Sequence, residues 1–358
     1  RPMQVASMHF KARAGAKLAD VKLQAALKKL QSNFVKGRAD RMAEIGNFEA
    51  LRTHAAAIRD HALANLDVYL EEFEKNATAR GAVVHWAETT ADVNRIVCEL
   101  AARYDVKKVV KSKSMVSEEC ALNDALEGAG VKVVETDLGE YILQLAKEPP
   151  SHIIAPAFHL NMEDWEEAFR KHHTDLPADR QFNERRDILI EARTKLRSKF
   201  LAADVGITGA NFLVAETGSS VIVTNEGNGD LTQTLPRVHI VLASIEKCVP
   251  TIEDCTSLLR VLARSATGQD FSVYTTFSTG ARRPGDLDGP EEYHVILLDN
   301  GRSGMIGTEF QDMLRCIRCA ACMNHCPVYG AVGGHAYGWV YPGPMGSVLT
   351  PGLLGVDQ

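Results

Sequence analysis

The sequence predicts an α/β protein: a mostly parallel sheet flanked by helices, with a helical segment before it and a short cysteine-bearing segment after it. Three observations carry this. From about residue 80 to 300, apolar strand-like runs alternate with helix patterns, the rhythm of βαβ units. Residues ~18–75 read as helices, because Leu51, Ala55, Ile58, Ala62, Leu66 and Tyr69 step by four and three and make one apolar stripe. Past residue 307, closely spaced cysteines give way to glycines. The expected divisions are therefore 1–78, 79–307 and 308–358.

Each element has a local reason. The helical stripe is expected to pack on the main domain, with a dimer seam as the alternative. Ala82 to Trp86 reads as a strand, and Thr90 is placed to cap the helix carrying Val93, Ile96, Val97 and Leu100. Val106 to Val110 is the next strand, with Ser117 expected to cap the helix after it. Val131 to Glu135 and His152 to Ala155 read as further strands. The charged stretch Glu163 to Lys199 reads as two helices around Pro177, its charges forming a solvated face. Asn211 to Glu216 and Ser219 to Thr224 flank Thr217-Gly218, a hairpin signal. Strands are expected at Arg237 to Ala243, Phe271 to Thr276 and Tyr293 to Leu298, with a helix from Ile252 to Ala266 opened by Thr251 and Asp254. Thr308 and Gln311 open a short helix into Cys316. The glycine-rich tail, interleaved with Tyr337, Trp339, Val340 and Tyr341, is expected to wrap tightly.

Cys316, Cys319, Cys322 and Cys326, followed by Pro327, hold four of the eight cysteines within eleven residues. Spacings of two, two and three ending in Cys-Pro are the ligand run of a bacterial-type [4Fe–4S] site, whose fourth thiolate serves the other cluster in two-cluster ferredoxins. Cys316, Cys319 and Cys322 are thus expected on one cluster and Cys326 on a second. Zinc is the competing reading, but zinc knuckles use separated Cys pairs or mix in His. Cys98, Cys120, Cys248 and Cys255 form no second run. A segment beyond Gln358, a partner chain, or one cluster taking all four thiols would complete the ligand set, and the open-ended tail favours the first.

The composition narrows the class. With 358 residues, 45% hydrophobic, 24% charged and a net charge of −6, the chain is ordinary for a globular protein and lacks a basic footprint for nucleic acid. No apolar run approaches the ~20 residues of a membrane span. The N-terminal stretch has no apolar signal core, so a reducing cytoplasm is expected.

Ligands of open parallel sheets sit at the carboxyl ends of strands. Three such places stand out. Lys111, Lys113 and Ser114 lie where a strand meets a helix start, a setting for an anion or simply for a capped helix with solvated lysines. Glu135, in Glu135-Thr-Asp137-Leu-Gly139-Glu140, offers carboxylates or ordinary turn chemistry. Glu216, beside the Gly218 turn, reads as a binding or acid–base carboxylate and is the catalytic candidate; Asn225 and Glu226 follow its hairpin, in a stretch that otherwise serves as a polar loop. His239 and His294 lie inside apolar strands and read as satisfied core residues. His325 and His335 are expected to tune a cluster by hydrogen bonding. No GxGxxG follows a strand, so nicotinamide and flavin have no support.

These residues resemble the lactate-utilization protein B family, the iron–sulfur member of a three-protein L-lactate oxidation system. The resemblance runs through Lys111 to Glu119, Val133 to Glu140, Ile207 to Ser219, Asn225 to Asp230, Gly289 to His294, the Cys316 to Pro327 run, Gly333 to Tyr337 and Tyr341 to Pro344. It implies an α/β domain similar to the sugar-isomerase and CoA-transferase superfamily and a partial α-helical ferredoxin-like C-terminal segment. It also implies two [4Fe–4S] clusters, with electron transfer during the oxidation of L-lactate to pyruvate shared with two sister subunits. Cys316, Cys319 and Cys322 match its first-cluster ligands and Cys326 a second-cluster ligand. The sequence departs from the family by lacking the later cysteine run. Whether L-lactate binds this subunit is left open. The alternative is a ligand-binding or transferase-like enzyme with a structural cluster, in which Glu216 and the Lys113 loop would carry the chemistry.

Overall fold

A computed structural model of the chain describes residues 5–355. Four helices come first: α1 (Phe10–Leu18), α2 (Val21–Ile45), α3 (Phe48–Ala64) and α4 (Leu66–Ala79). Asp20 opens α2 by accepting the Leu23 N–H at 2.9 Å, and Gly46, at φ 68°, closes it. The apolar stripe crosses the α3–α4 junction, and Ala55, Ile58, Ala62 and Leu66 are all buried. It packs inward on the main domain, the first of the two expectations for it.

The chain then alternates. β1 (Ala82–Ala87), α5 (Thr90–Arg103), β2 (Lys108–Ser112), α6 (Met115–Glu119), α7 (Leu122–Gly128), β3 (Lys132–Glu135), α8 (Leu138–Ala146), α9 (Met162–His172) and α10 (Arg185–Leu201) appear in order. Next come β4 (Val205–Thr208), β5 (Phe212–Val214), β6 (Ser219–Thr224), α11 (Asn228–Thr234), β7 (Val238–Ser244), β8 (Cys248–Val249), α12 (Ile252–Thr267), β9 (Tyr274–Ser278) and β10 (Glu292–Leu298). Six strands form one sheet in the order β1-β10-β7-β4-β2-β3, and every pairing in it is parallel. All seven residues of β7 are buried, as expected of a strand covered on both faces. Val93, Ile96, Val97 and Leu100 of α5 cover one face, and Leu66, Leu70 and Phe73 of α4 cover the other.

The hairpin expected from Thr217-Gly218 forms, but not in that sheet. β5 and β6 pair antiparallel and join β8 and β9 in a separate four-stranded sheet. Its apolar side packs on Phe48, Ala55 and Ile58 of α3 and on Leu258, Leu259 and Leu262 of α12. Gly218 is at φ 68°, and a Cβ there would stand 2.2 Å from the Ala77 nitrogen, so only glycine fits the turn.

Four local readings needed correction; in one, Phe310 and not Thr308 stands at the N-cap of the short turn that begins at Gln311, with no side-chain cap. The α5 cap is Thr89, not Thr90, in a full capping box with Asp92. Ser114, not Ser117, caps α6, while Ser117 lies inside it and donates back to the Ser114 carbonyl at 2.6 Å. His152 to Ala155 is no strand. The buried His152 ring accepts the Ile154 and Ala155 N–H groups through Nδ1, at 3.2 and 3.1 Å, and bends the chain instead of letting it enter a ladder.

After β10, a 3₁₀ turn over Gln311–Arg315 leads to α13 (Ala321–His325), α14 (Tyr329–Val332) and α15 (Gly343–Leu354). Ala320, Met323 and Tyr329 share a core with Leu23 and Leu27 of α2. The first and last segments of the chain thus hold each other.

Candidate functional site at the switch point of the sheet

β2 runs on to β3 at one edge, while β4, β7 and β10 fill the sheet in the other direction. The order therefore reverses between β2 and β4, where open parallel sheets leave a crevice beyond their carboxyl ends. Gly209, just after β4, makes that crossing tight: a Cβ there would lie 2.3 Å from the Lys113 carbonyl. A cavity of about 440 Å³ opens at this place, with Lys113, Ser114, Asn211, Asn225 and Glu226 among its walls and Lys247, Arg318 and Tyr341 also reaching it. Lys113 pairs with Asp137. Burial lowers the Lys113 ammonium, but Asp137 outweighs it and the group is raised overall. Burial, then Asp137, pushes the Glu226 carboxyl up. The crevice thus holds a neutralised cation beside the Glu226 carboxyl, which is pushed toward its protonated form.

Between this crevice and the cysteine segment lies a buried ionic network. The Arg302 and Glu119 side chains, each fully excluded from solvent, form a two-pronged pair at 3.0 and 2.7 Å. Tyr341 and Asn300 donate to the same Glu119 carboxylate at 2.6 and 2.7 Å. Arg302 Nε also meets Glu246 at 3.2 Å, and Arg318 donates to the other Glu246 oxygen at 3.0 Å. Burial would raise Glu246, but Arg302 and Arg318 outweigh it and hold the carboxyl at about 2. Arg59 is buried against the carbonyls of Cys248 and Leu314, at 3.2 and 2.8 Å. Burial and Arg318 lower the Lys247 ammonium to about 8. Four cations, Arg59, Lys247, Arg302 and Arg318, therefore meet two carboxylates, Glu119 and Glu246. The site carries two uncompensated positive charges, which are costly to bury without a counter-charge.

Cys316 borders this cationic region beside Arg59, Lys247 and Arg318, and Cys319, Cys322 and Cys326 follow it along the chain. The loop that spaces them uses left-handed backbone at Arg318 and Ala320, φ 61° and 63°, so that it turns sharply within the first two gaps. N–H groups face the sulfurs: Arg318 donates to Cys316 and Tyr329 to Cys326, each at 3.4 Å. The Ala321 N–H faces Cys319, and the Met323 and Met345 N–H groups face Cys322. The Tyr337 hydroxyl lies near Cys326; burial, helped by the charge of Cys326, pushes the phenol up. Among the described residues, no three of these sulfurs lie within 4.8 Å of one another. Donors aimed at sulfur and a nearby cationic surplus are what a thiolate-bound, negatively charged group requires.

The structure sorts the residues singled out from sequence. Lys113, Ser114, Asn225 and Glu226 come together at the crevice. Lys111 does not reach it: it is buried in a bridge to Glu118 and Glu135, at 2.6 and 2.9 Å. Burial alone would lower its ammonium, but the two carboxylates raise it. Glu135 belongs to that structural pair. Glu216, the catalytic candidate, is exposed on the far side of the hairpin, where it accepts the Ile252 N–H at 3.0 Å and caps α12. Helix capping is the role its position allows. His239 and His294 are core residues as expected: His239 bonds Thr208 at 2.8 Å, and His294 lies 3.0 Å from His85. His325 bonds only the Ala321 carbonyl at 2.8 Å, and His335 the Pro149 carbonyl at 2.8 Å. Neither bond reaches a sulfur. Glu119, Glu246, Lys247, Arg302 and Arg318 do not stand out in the sequence. The carboxyl-end rule applied to β7 and β10 points directly at Glu246-Lys247 and at Asn300 to Arg302.

The chain resembles known proteins along most of its length. The LUD domain family matches residues 70–298. Lactate utilization protein B of Macrococcus caseolyticus is 46% identical over 99% of this chain and 74% of its own. The protein of that name from Bacillus licheniformis is 46% identical with the same coverage, and that of Bacillus subtilis strain 168 is 45% identical with the same coverage. A crystal structure of a DUF162 family protein from Deinococcus radiodurans aligns with 65% of this chain and 98% of its own, at 16% identity and a TM-score of 0.34; that likeness is too slight to carry an argument.

Proposed function

Because the chain belongs to the LUD-domain family and, within it, to the lactate utilization protein B proteins, we propose that it acts in lactate utilization as an iron–sulfur protein that carries electrons during oxidation of L-lactate to pyruvate. Cys316, Cys319, Cys322 and Cys326 would hold [4Fe–4S] chemistry, and two sister subunits would complete the system. A cluster bound there would accept and release single electrons. The rest is the work of this chain: it aims backbone N–H groups at the sulfurs and places Arg59, Lys247 and Arg318 beside Cys316, with Arg302 joined to Arg318 through Glu246.

The observation that carries this reading is the buried charge surplus. Four thiolates around an oxidised cubane leave about two net negative charges, a match for the two unbalanced cations beside Cys316. The crevice adjoining Arg318 and Lys247 suits a small carboxylate such as L-lactate, with Lys113 and Ser114 at its opposite wall. The transferase-like alternative rested on Glu216 and the Lys113 loop together; Lys113 lines the crevice, whereas Glu216 lies apart from it against the start of α12.

Iron and acid-labile sulfide counts on anaerobically prepared protein test the proposal. Broad visible absorbance that bleaches with dithionite, and that is lost in Cys319→Ser, is expected. Colourless protein with one zinc would overturn it. In the assembled system, reduction of the cluster by L-lactate should survive Glu216→Gln and fail in Cys319→Ser.

A further inference from the structure

A second group of ligating side chains lies outside that site. Glu148 comes after α8, His159 precedes α9, and His335 lies in the turn Gly334–Tyr337 beyond the cysteine run. One ligand atom from each falls within 4.8 Å of the other two. His159 Nε2 and Glu148 Oε2 are 3.0 Å apart, and the two imidazoles meet edge to face with centres 4.7 Å apart. The His159 side chain is only 10% exposed, and its Nδ1 is buried without a hydrogen-bond partner.

The surroundings fix the geometry. His335 Nε2 bonds the Pro149 carbonyl at 2.8 Å, leaving its other ring nitrogen available. Arg13 donates to the His335 carbonyl at 3.1 Å, and a Cβ at Gly334 would stand 1.9 Å from the Ser151 carbonyl oxygen. The turn carrying His335 is therefore pressed against the loop between α8 and α9. Glu148 is half-exposed and can adjust its carboxylate. Lys17 and Lys22 stand near enough to oppose a cation, but Lys22 is already paired with Asp164, and Glu148 offsets Lys17.

Two imidazoles and one carboxylate, with room for water, are a donor set for zinc-class cations. We infer that Glu148, His159 and His335 bind one zinc-class divalent cation, which clips the cysteine segment to the loop between α8 and α9. This inference does not depend on the electron-transfer reading. The clip would also fix Tyr337, two residues beyond His335, against Cys326.

The test is a zinc titration of the anaerobically prepared full chain, followed by calorimetry and by metal counting after gel filtration. One zinc per chain is expected, without change in any visible absorbance from the cysteine run. His159→Gln and His335→Gln should each weaken it at least about 100-fold, since each removes one of only three protein ligands. Zinc should raise the melting midpoint of the unmodified chain but not of these variants. If a histidine variant fails to fold, judged by circular dichroism in zinc-free buffer, half-exposed Glu148→Gln serves instead, with an expected loss of about tenfold. Zinc uptake that persists in all three variants, or is lost only in Cys322→Ser, overturns the assignment. Absence of uptake also overturns it and leaves Glu148 and His159 as a plain hydrogen-bonded pair.

Discussion

Replacing Arg318 by Gln tests the charge balance at the residue where the cysteine run meets the ionic network. Its backbone N–H donates to Cys316 Sγ at 3.4 Å, and its guanidinium bonds Glu246 at 3.0 Å. The variant keeps a similar stem and a donor for Glu246 but removes one positive charge, so the surplus falls from two to one. A unit charge about 7 Å from a redox centre, at an effective dielectric near 20, contributes about 2.4 kcal/mol. For one electron, about 1.4 kcal/mol corresponds to about 59 mV, so the full effect is about 100 mV. Glu246 already compensates part of that charge, which leaves an expected fall of roughly 50–100 mV. The sign is fixed by physics: removing a cation makes an incoming electron less welcome. A redox titration followed by electron paramagnetic resonance reads the shift, with Arg318→Lys expected to restore most of it. A potential within about 20 mV of the unmodified protein, at equal iron content, would refute the claim that these buried cations balance the sulfur-bound group.

Three further outcomes are expected. Gly206→Ala in β4 would place a Cβ 1.8 Å from the Thr232 carbonyl oxygen, forcing α11 off the sheet; a loss of about 2–3 kcal/mol or more in urea unfolding is expected, and a loss under about 0.5 kcal/mol would contradict the packing. Glu216→Gln should cost only about 0.5–1 kcal/mol, as a weakened helix cap, and leave iron content and lactate-driven reduction unchanged; loss of that reduction would return Glu216 to the site. The third concerns pH. Burial pulls His239 down to about 3, and burial together with His85 pulls His294 down to about 4, so the unfolded chain takes up these protons first, near the ordinary value of ~6.5. Stability from both groups is complete above about pH 6.5 and is lost as pH falls through about 4 and then 3, on the order of 2–4 kcal/mol each. Unfolding midpoints from about pH 7 to 4 should fall steeply, and less so in His239→Asn. Equal slopes would refute the account.

Short-range chemistry made much of this chain readable. Strand and helix positions came from period and composition, because α5 and β7 carry patterns that no other local structure would bury. The family, too, was legible in ordered runs of residues. Capping was harder: Thr89 and Thr90 are equally good side chains, and only the backbone decides which of them stands outside the helix. His152 misled because its neighbours are apolar and β-branched, while its ring satisfies two N–H groups that a strand would have paired with a neighbouring strand. Glu216 misled for a related reason. It does sit beside a tight turn, but the far end of that hairpin faces α12 and not the crevice.

By itself the sequence determined the thiol spacing, the alternating α/β order, and the presence of Lys113, Ser114, Asn225 and Glu226 at the ends of elements. Those are properties of neighbours along the chain. Tertiary structure alone decided that the hairpin leaves the main sheet, that Lys111 is consumed in a buried bridge, and that Glu119, Glu246, Arg302 and Arg318 meet in one network. Contacts such as Arg302 with Glu119 join residues 183 positions apart, and no local propensity encodes them. They arise because strands far apart in sequence end side by side and bring their following residues to a single place.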